Sequence, residues 1–93
     1  MAVTIEQSLP ENLTGAARPA WVILYNDDWH TFEDVIAQLV KAGACGRAEA
    51  EAHAWAVHSQ GKSRVFDGPR KECERVAAVL REIRLQVEVD WDD

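Results

Sequence analysis

The chain has 93 residues, enough for one small domain and too few for a two-lobed cofactor enzyme. Sixteen acidic residues against 10 basic ones give a net charge of −6, the opposite of the basic footprint that a nucleic-acid backbone or an anionic membrane surface requires. With 47% hydrophobic and 28% charged residues, the composition fits a folded soluble domain and not a disordered chain.

Residues 1–19 read as a flexible N-terminal tail, because Ser8 to Gly15 is rich in turn formers and has no usable period. Residues 20–91 read as the folded core. No apolar segment follows a basic start, so no signal peptide is expected, and the longest apolar run, Ala20 to Tyr25, is far too short to span a membrane. Cys45 and Cys73 show no metal or disulfide spacing and read as free thiols in a reducing, cytoplasmic setting.

Trp21 to Tyr25 is apolar throughout and too short for a helix, which predicts a central strand. Asn26-Asp27-Asp28 ends it, since these side chains bond nearby backbone and favour turns. Phe32, Val35, Ile36, Leu39 and Val40 then recur at helical spacing, with Thr31 as N-cap and Asp34 as its capping-box partner. A second, Ala-rich helix is expected over Arg47 to Gln60, with Trp55 and Val57 as its large apolar residues and Gly61 as its stop. Ser63 to Phe66 reads as a short strand, Asp67-Gly68-Pro69 as a turn, and Pro69 to Arg84 as a third helix with Cys73, Val76, Ala77 and Leu80 on its stripe. The end alternates: Leu85, Val87, Val89 and Trp91 face one way, Gln86, Glu88 and Asp90 the other. The order β-α-α-β-α-β with a right-handed crossover predicts an α+β two-layer sandwich, three helices on one face of a three-stranded sheet. The first strand lies in the middle, antiparallel to both neighbours.

The acidic charge is unevenly placed. Residues 19–40 hold Asp27, Asp28, Glu33 and Asp34 with no Lys or Arg, so Asp27 and Asp28 have no basic partner nearby in sequence. The cluster is either a turn with N-terminal acids or a site for a cation. His53 and His58 lie five apart on one helix and do not share a face, so no metal site is expected. No Ser or Cys stands in a nucleophile motif, and the adjacent carboxylates project differently, so catalysis is not expected. Trp29, in the loop after the acidic pair, is the aromatic least readily assigned to a core.

Trp21-Val22-Ile23-Leu24-Tyr25-Asn26-Asp27-Asp28, then Glu33 and Val35, then Val57-His58-Ser59-Gln60-Gly61-Lys62 resemble the ClpS adaptor family. That family's pattern is a hydrophobic strand, Asn-Asp-Asp, an aromatic, a polar pair, Met-Glu and later Val-His-x-x-Gly-Lys. The resemblance covers about residues 18–91. It implies the fold of the ribosomal stalk protein C-terminal domain. It also implies a monomeric, non-catalytic, cofactor-free adaptor that binds N-terminal peptides (N-degrons) and delivers them to a ClpA-like AAA+ unfoldase and its protease. By the same resemblance, Asn26, Asp27 and His58 bind the free α-amino group and Asp28 supports the turn. Phe32, Val35, Ala54, Val57 and Leu85 line the pocket for a Phe, Tyr, Trp or Leu side chain. Phe32 and Ala54 stand where the family usually has Met, which narrows one wall, opens another and favours aromatic ligands. The third helix begins with Arg70, Lys71 and Arg75, more basic than in familiar members, which bears on docking to an unfoldase. The alternative is a module of the same fold without N-degron selectivity, and a small hydrolase is the remote third.

Overall fold

The computed structural model describes residues 19–92, so the tail expected over residues 1–19 lies outside the described part except for Pro19. Six elements follow in the expected order: β1 (Pro19–Tyr25), α1 (Phe32–Lys41), α2 (Arg47–Gln60), β2 (Lys62–Pro69), α3 (Arg70–Arg81) and β3 (Val87–Trp91). The sheet order is β2-β1-β3, and β1 runs antiparallel to both neighbours. The two outer strands are therefore parallel to each other, as the crossover requires.

The central strand alternates in burial. Ala20, Val22 and Leu24 point into the core, whereas Trp21, Ile23 and Tyr25 are only half-buried on the opposite face. Among the described residues, no helix covers that second face. Its apolar residues are screened by side chains from the flanking strands: Arg64 lies 4.3 Å over the Trp21 ring, and the Tyr25 hydroxyl donates to Glu88 at 2.7 Å. A continuous apolar run thus marks a central position here without helices on both sides.

Two boundaries differ from the sequence reading. Asp67-Gly68-Pro69 is not a turn but the end of β2, opposite Trp21, Ala20 and Pro19. A register shift at Val22/Ile23 lets the strand continue, and pairing gives these backbone groups partners that a turn would have left to solvent. Pro69 sits at the strand end, where its missing N–H costs no ladder bond, and its extended backbone caps α3. The third helix ends at Arg81, not Arg84. Arg84 has φ 67°, a left-handed conformation that cannot continue a helix.

Helix α1 starts with a complete capping box. Thr31 Oγ1 accepts from the Asp34 N–H, and Asp34 accepts from the Thr31 N–H, both at 3.0 Å. Helix α2 ends at Gly61, whose φ of 92° is the left-handed C-terminal stop expected of glycine. The core joins Val22 and Leu24 of β1, Leu39 of α1, and Cys73, Val76 and Leu80 of α3, all fully buried. Ala50, Ala54 and Val57 bring α2 onto it, their small size allowing close approach. Gln38 of α1 is buried and satisfied: its Nε2 donates to the Val79 carbonyl of α3 at 2.7 Å. Trp55, one of the two large apolar residues of α2, is 61% exposed. Among the described residues, no helix is long and apolar enough to cross a membrane.

Candidate functional site

The end of β1 and the end of α2 are tied together. The Asn26 N–H donates to the Gly61 carbonyl at 2.9 Å, and the Gly61 N–H in turn bonds the Val57 carbonyl. This fixes Asn26 and Asp27 on one side of a small cavity and His58, on the last turn of α2, on another. The N-terminal turn of α1 adds Phe32 and Val35, α2 adds Ala54 and Val57, and Leu85 arrives from the segment before β3. The cavity measures about 50 Å³, and Tyr25, His30 and Thr31 complete its lining.

The residues expected to surround a ligand thus meet in one place, and Asp28, expected to support the turn, is exposed and outside the lining. Val35, Ala54, Val57 and Leu85 are each at most 9% exposed and make an apolar floor. Asn26 and His58 stand exposed at the polar rim. Phe32 forms a wall and is braced by aromatic edges, with ring centroids 4.7 Å from Trp55 and 5.4 Å from His58. His53 lies away from this group, bonded through Nδ1 to Ser63 Oγ at 2.8 Å.

Asp27 is the most heavily bonded polar residue of the site. Its Oδ1 accepts from the N–H groups of Trp29 (3.1 Å) and His30 (2.9 Å), which closes an Asx turn, and its Oδ2 lies 2.6 Å from His30 Nδ1. The other ring nitrogen of His30, Nε2, lies 2.6 Å from the Ile83 carbonyl. The His30 side chain is 4% exposed. Asp27 therefore does have a basic partner, three residues away, that the sequence reading did not identify. His30 joins the acidic loop to the turn between α3 and β3, two residues before Leu85 of the cavity floor.

Burial pushes the Asp27 carboxyl up, but the N–H groups of His30 and Trp29 and the His30 ring outweigh it and hold the group below its ordinary 3.8. Burial likewise pushes His30 down, but its bonds to Asp27 and the Ile83 carbonyl, with the carboxylates of Asp27 and Asp34, keep it above its ordinary 6.5. The signs follow. A depressed Asp27 stabilises the fold above pH 3.8, and that contribution fades as pH falls through its native value. A raised His30 stabilises fully below pH 6.5, and that contribution fades as pH rises through its native value. The gap in urea midpoint between the wild type and His30→Gln is therefore largest between pH 3.8 and 6.5 and narrows at alkaline pH. A gap that widens toward alkaline pH would contradict this.

An amide, a carboxylate and an imidazole thus stand around an apolar floor, offering hydrogen-bond acceptors beside apolar surface. The chain belongs to the ClpS family: the family described as ATP-dependent Clp protease adaptor protein ClpS matches residues 16–88. It is also similar to the E3 ubiquitin-protein ligase UBR2 of Mus musculus, 35% identical over 77 residues, and to UBR2 of Homo sapiens, 34% identical over 77 residues. Each match covers 81% of this chain and 4% of the relative, so the chain spans a small segment of those proteins.

Proposed function

We propose that this domain binds the N-terminal residue of other proteins, taking the free α-amino group at Asn26, Asp27 and His58 and a bulky hydrophobic side chain between Phe32, Val35, Ala54, Val57 and Leu85. The observation that carries the reading is the single cavity in which these polar and apolar groups meet. An α-ammonium is compact and offers three donors. A carboxylate has about four lone-pair positions, and three on Asp27 are engaged within the chain, which leaves one for a ligand. Asn26 supplies an amide oxygen and a neutral His58 supplies the third acceptor. Three charge-assisted hydrogen bonds of about 1.5–3 kcal/mol each and roughly 1.5–3 kcal/mol from burying a Phe or Leu side chain reach about 12 kcal/mol at most; less an association cost of about 4 kcal/mol, the upper limit is about −8 kcal/mol, the micromolar range.

The two similarities point the same way. A Clp protease adaptor and a ubiquitin ligase are parts of different degradation machines, and recognition of the substrate is a task both require. We extend the proposal to delivery: the domain acts as a monomeric, non-catalytic adaptor for a ClpA-type unfoldase. Of the basic residues that open α3, Arg70 and Arg75 have partners within the chain. Arg70 lies 3.7 Å over the Trp91 ring, and Arg75 bonds Glu72 and the Ala42 carbonyl.

A panel of peptides differing only in the first residue tests the reading. Phe, Tyr, Trp and Leu bind and Ser and Gly do not. The aromatic residues lead, because the Phe32 wall offers a ring edge and Ala54 leaves the floor open. Leu ahead of every aromatic residue would overturn the aromatic bias; equal binding of Ser and Phe would overturn the function.

A further inference from the structure

His30 lines the cavity yet has no part in the amine site proposed above. Its ring is held on both sides: Nδ1 lies 2.6 Å from Asp27 Oδ2, and Nε2 lies 2.6 Å from the Ile83 carbonyl oxygen. Both oxygens are acceptors. One belongs to the backbone, and the other to a carboxyl group that its bonds hold below the ordinary 3.8 against the push of burial. A neutral imidazole carries one N–H, so one of the two contacts would set a nitrogen lone pair against an oxygen lone pair. Both are hydrogen bonds only when both nitrogens carry hydrogen. The ring is therefore an imidazolium, its side chain 4% exposed and Asp27 its counter-charge. The Trp29 ring stacks on it with centroids 3.8 Å apart, a contact that favours a cation.

We propose that His30 is the resident cation of the amine site: an entering α-ammonium takes over the charge of Asp27, and the His30 proton leaves to solvent through the cavity as the peptide binds. This rests on the amine site proposed above. Asp27 carries a single negative charge, and two cations on one carboxylate stand within about 6 Å, where a like charge disfavours the charged form. Once the ammonium neutralises Asp27, the imidazolium is a buried charge without its counter-charge, and such a group sheds its proton. The other groups around the ring do not replace that charge. On α1, Asp34 acts on the ring, but its carboxylate is engaged by the Thr31 N–H. Asp28 of the loop is exposed. In the turn between α3 and β3, Glu82 is taken up by Lys41 at 2.9 Å and Arg84 is exposed, so that turn meets the ring through the Ile83 carbonyl. From α2, His58 lines the same cavity and brings no negative charge. The neutral ring keeps its Nδ1–H on Asp27 and gives up the bond to Ile83, two residues before Leu85 of the floor.

The test follows the His30 ring by NMR through a pH titration of the wild-type chain, alone, saturated with a Phe-initiated peptide, and with the acetylated peptide at the same concentration. The three histidines give separate ring signals, so His58 does not enter the His30 curve, and His53, bonded to Ser63, is the reference. The His30 midpoint falls by about 1 unit or more when the free peptide is bound and stays in place with the acetylated one. An unchanged or raised midpoint in the peptide-saturated protein overturns the exchange and leaves the amine site standing. A fall with the acetylated peptide as well assigns it to burial and not to charge, and also overturns the exchange. Absence of binding by the free peptide overturns the amine site and the exchange together. The pH dependence of affinity is the second readout. Between the bound and free midpoints the released proton raises the Kd by up to about tenfold per unit of acidification. His30→Gln lacks that share, so its profile over about pH 5 to 7 is shallower than that of the wild type. Equal slopes in the two proteins overturn the exchange; if His30→Gln does not bind the peptide, the wild-type titration alone decides.

Discussion

Asp27→Ala removes detectable binding of a Phe-initiated peptide. The variant loses the one charged acceptor of the site, and a charge-assisted hydrogen bond of about 1.5–3 kcal/mol corresponds to roughly 10- to 150-fold in affinity, enough to take a micromolar complex out of reach. The substitution is not silent in the fold. Asp27 accepts from two backbone N–H groups and from the His30 ring, which is 4% exposed and left without its counter-charge. A stability loss of about 1–3 kcal/mol accompanies the loss of binding, and the variant still folds because the hydrophobic core lies elsewhere. Asp27→Asn separates the two effects. The amide oxygen still accepts both backbone N–H groups, so most of the stability returns, while the charge and the binding do not. Calorimetry and urea denaturation on the same preparations read both quantities. Binding by Asp27→Asn within about 2-fold of the wild type would contradict the role given to the carboxylate.

Leu39→Ala has the largest effect on stability. Leu39 of α1 is fully buried, in the same core cluster as Leu24 and Leu80. Truncation loses the transfer energy of the removed atoms and leaves a void that backbone on both sides cannot close, about 2–5 kcal/mol. For a domain this small, that is a large share of the roughly 5–15 kcal/mol available. The same helix carries Phe32 and Val35, so peptide affinity falls with it. Peptide added at about 100 times its Kd restores about 2.7 kcal/mol, because ligand binds the folded state alone. A urea midpoint that peptide fails to move in both the wild type and Leu39→Ala would show that the cavity does not bind it. A midpoint unchanged by the substitution would show that Leu39 is not part of the core.

Sequence-local features were the legible ones. The capping box at Thr31 and Asp34 and the glycine stop at Gly61 are set by neighbours within three or four residues, and both stand where the spacing puts them. The strand order follows from one apolar run and one crossover. The polar and apolar residues expected at the site share one cavity because each lies at the end of a predictable element: Asn26 and Asp27 after β1, Phe32 at the start of α1, His58 at the end of α2. What escaped the reading depends on tertiary pairing. Asp67-Gly68-Pro69 has every mark of a turn, and only its pairing with Pro19 to Trp21 makes it strand. His30 bonds a carbonyl 53 residues away, at Ile83, which no local spacing announces. Its other contact was accessible: an Asp-x-x-His in a loop places the ring beside an Asx-turn carboxylate. Trp55 lies on the same Ala-rich helix as the buried Val57, and hydrophobicity alone does not tell which of the two faces the core.

The account stands on recognition of a free α-amino group, and one comparison addresses it directly: calorimetric titration of the wild-type chain with a Phe-initiated peptide and with the same peptide acetylated at its N-terminus. Acetylation removes the positive charge and two of the three donors while leaving the side chain and the rest of the peptide unchanged. The account predicts micromolar binding of the free peptide and no measurable binding of its acetylated twin. Equal affinity for the two would contradict it.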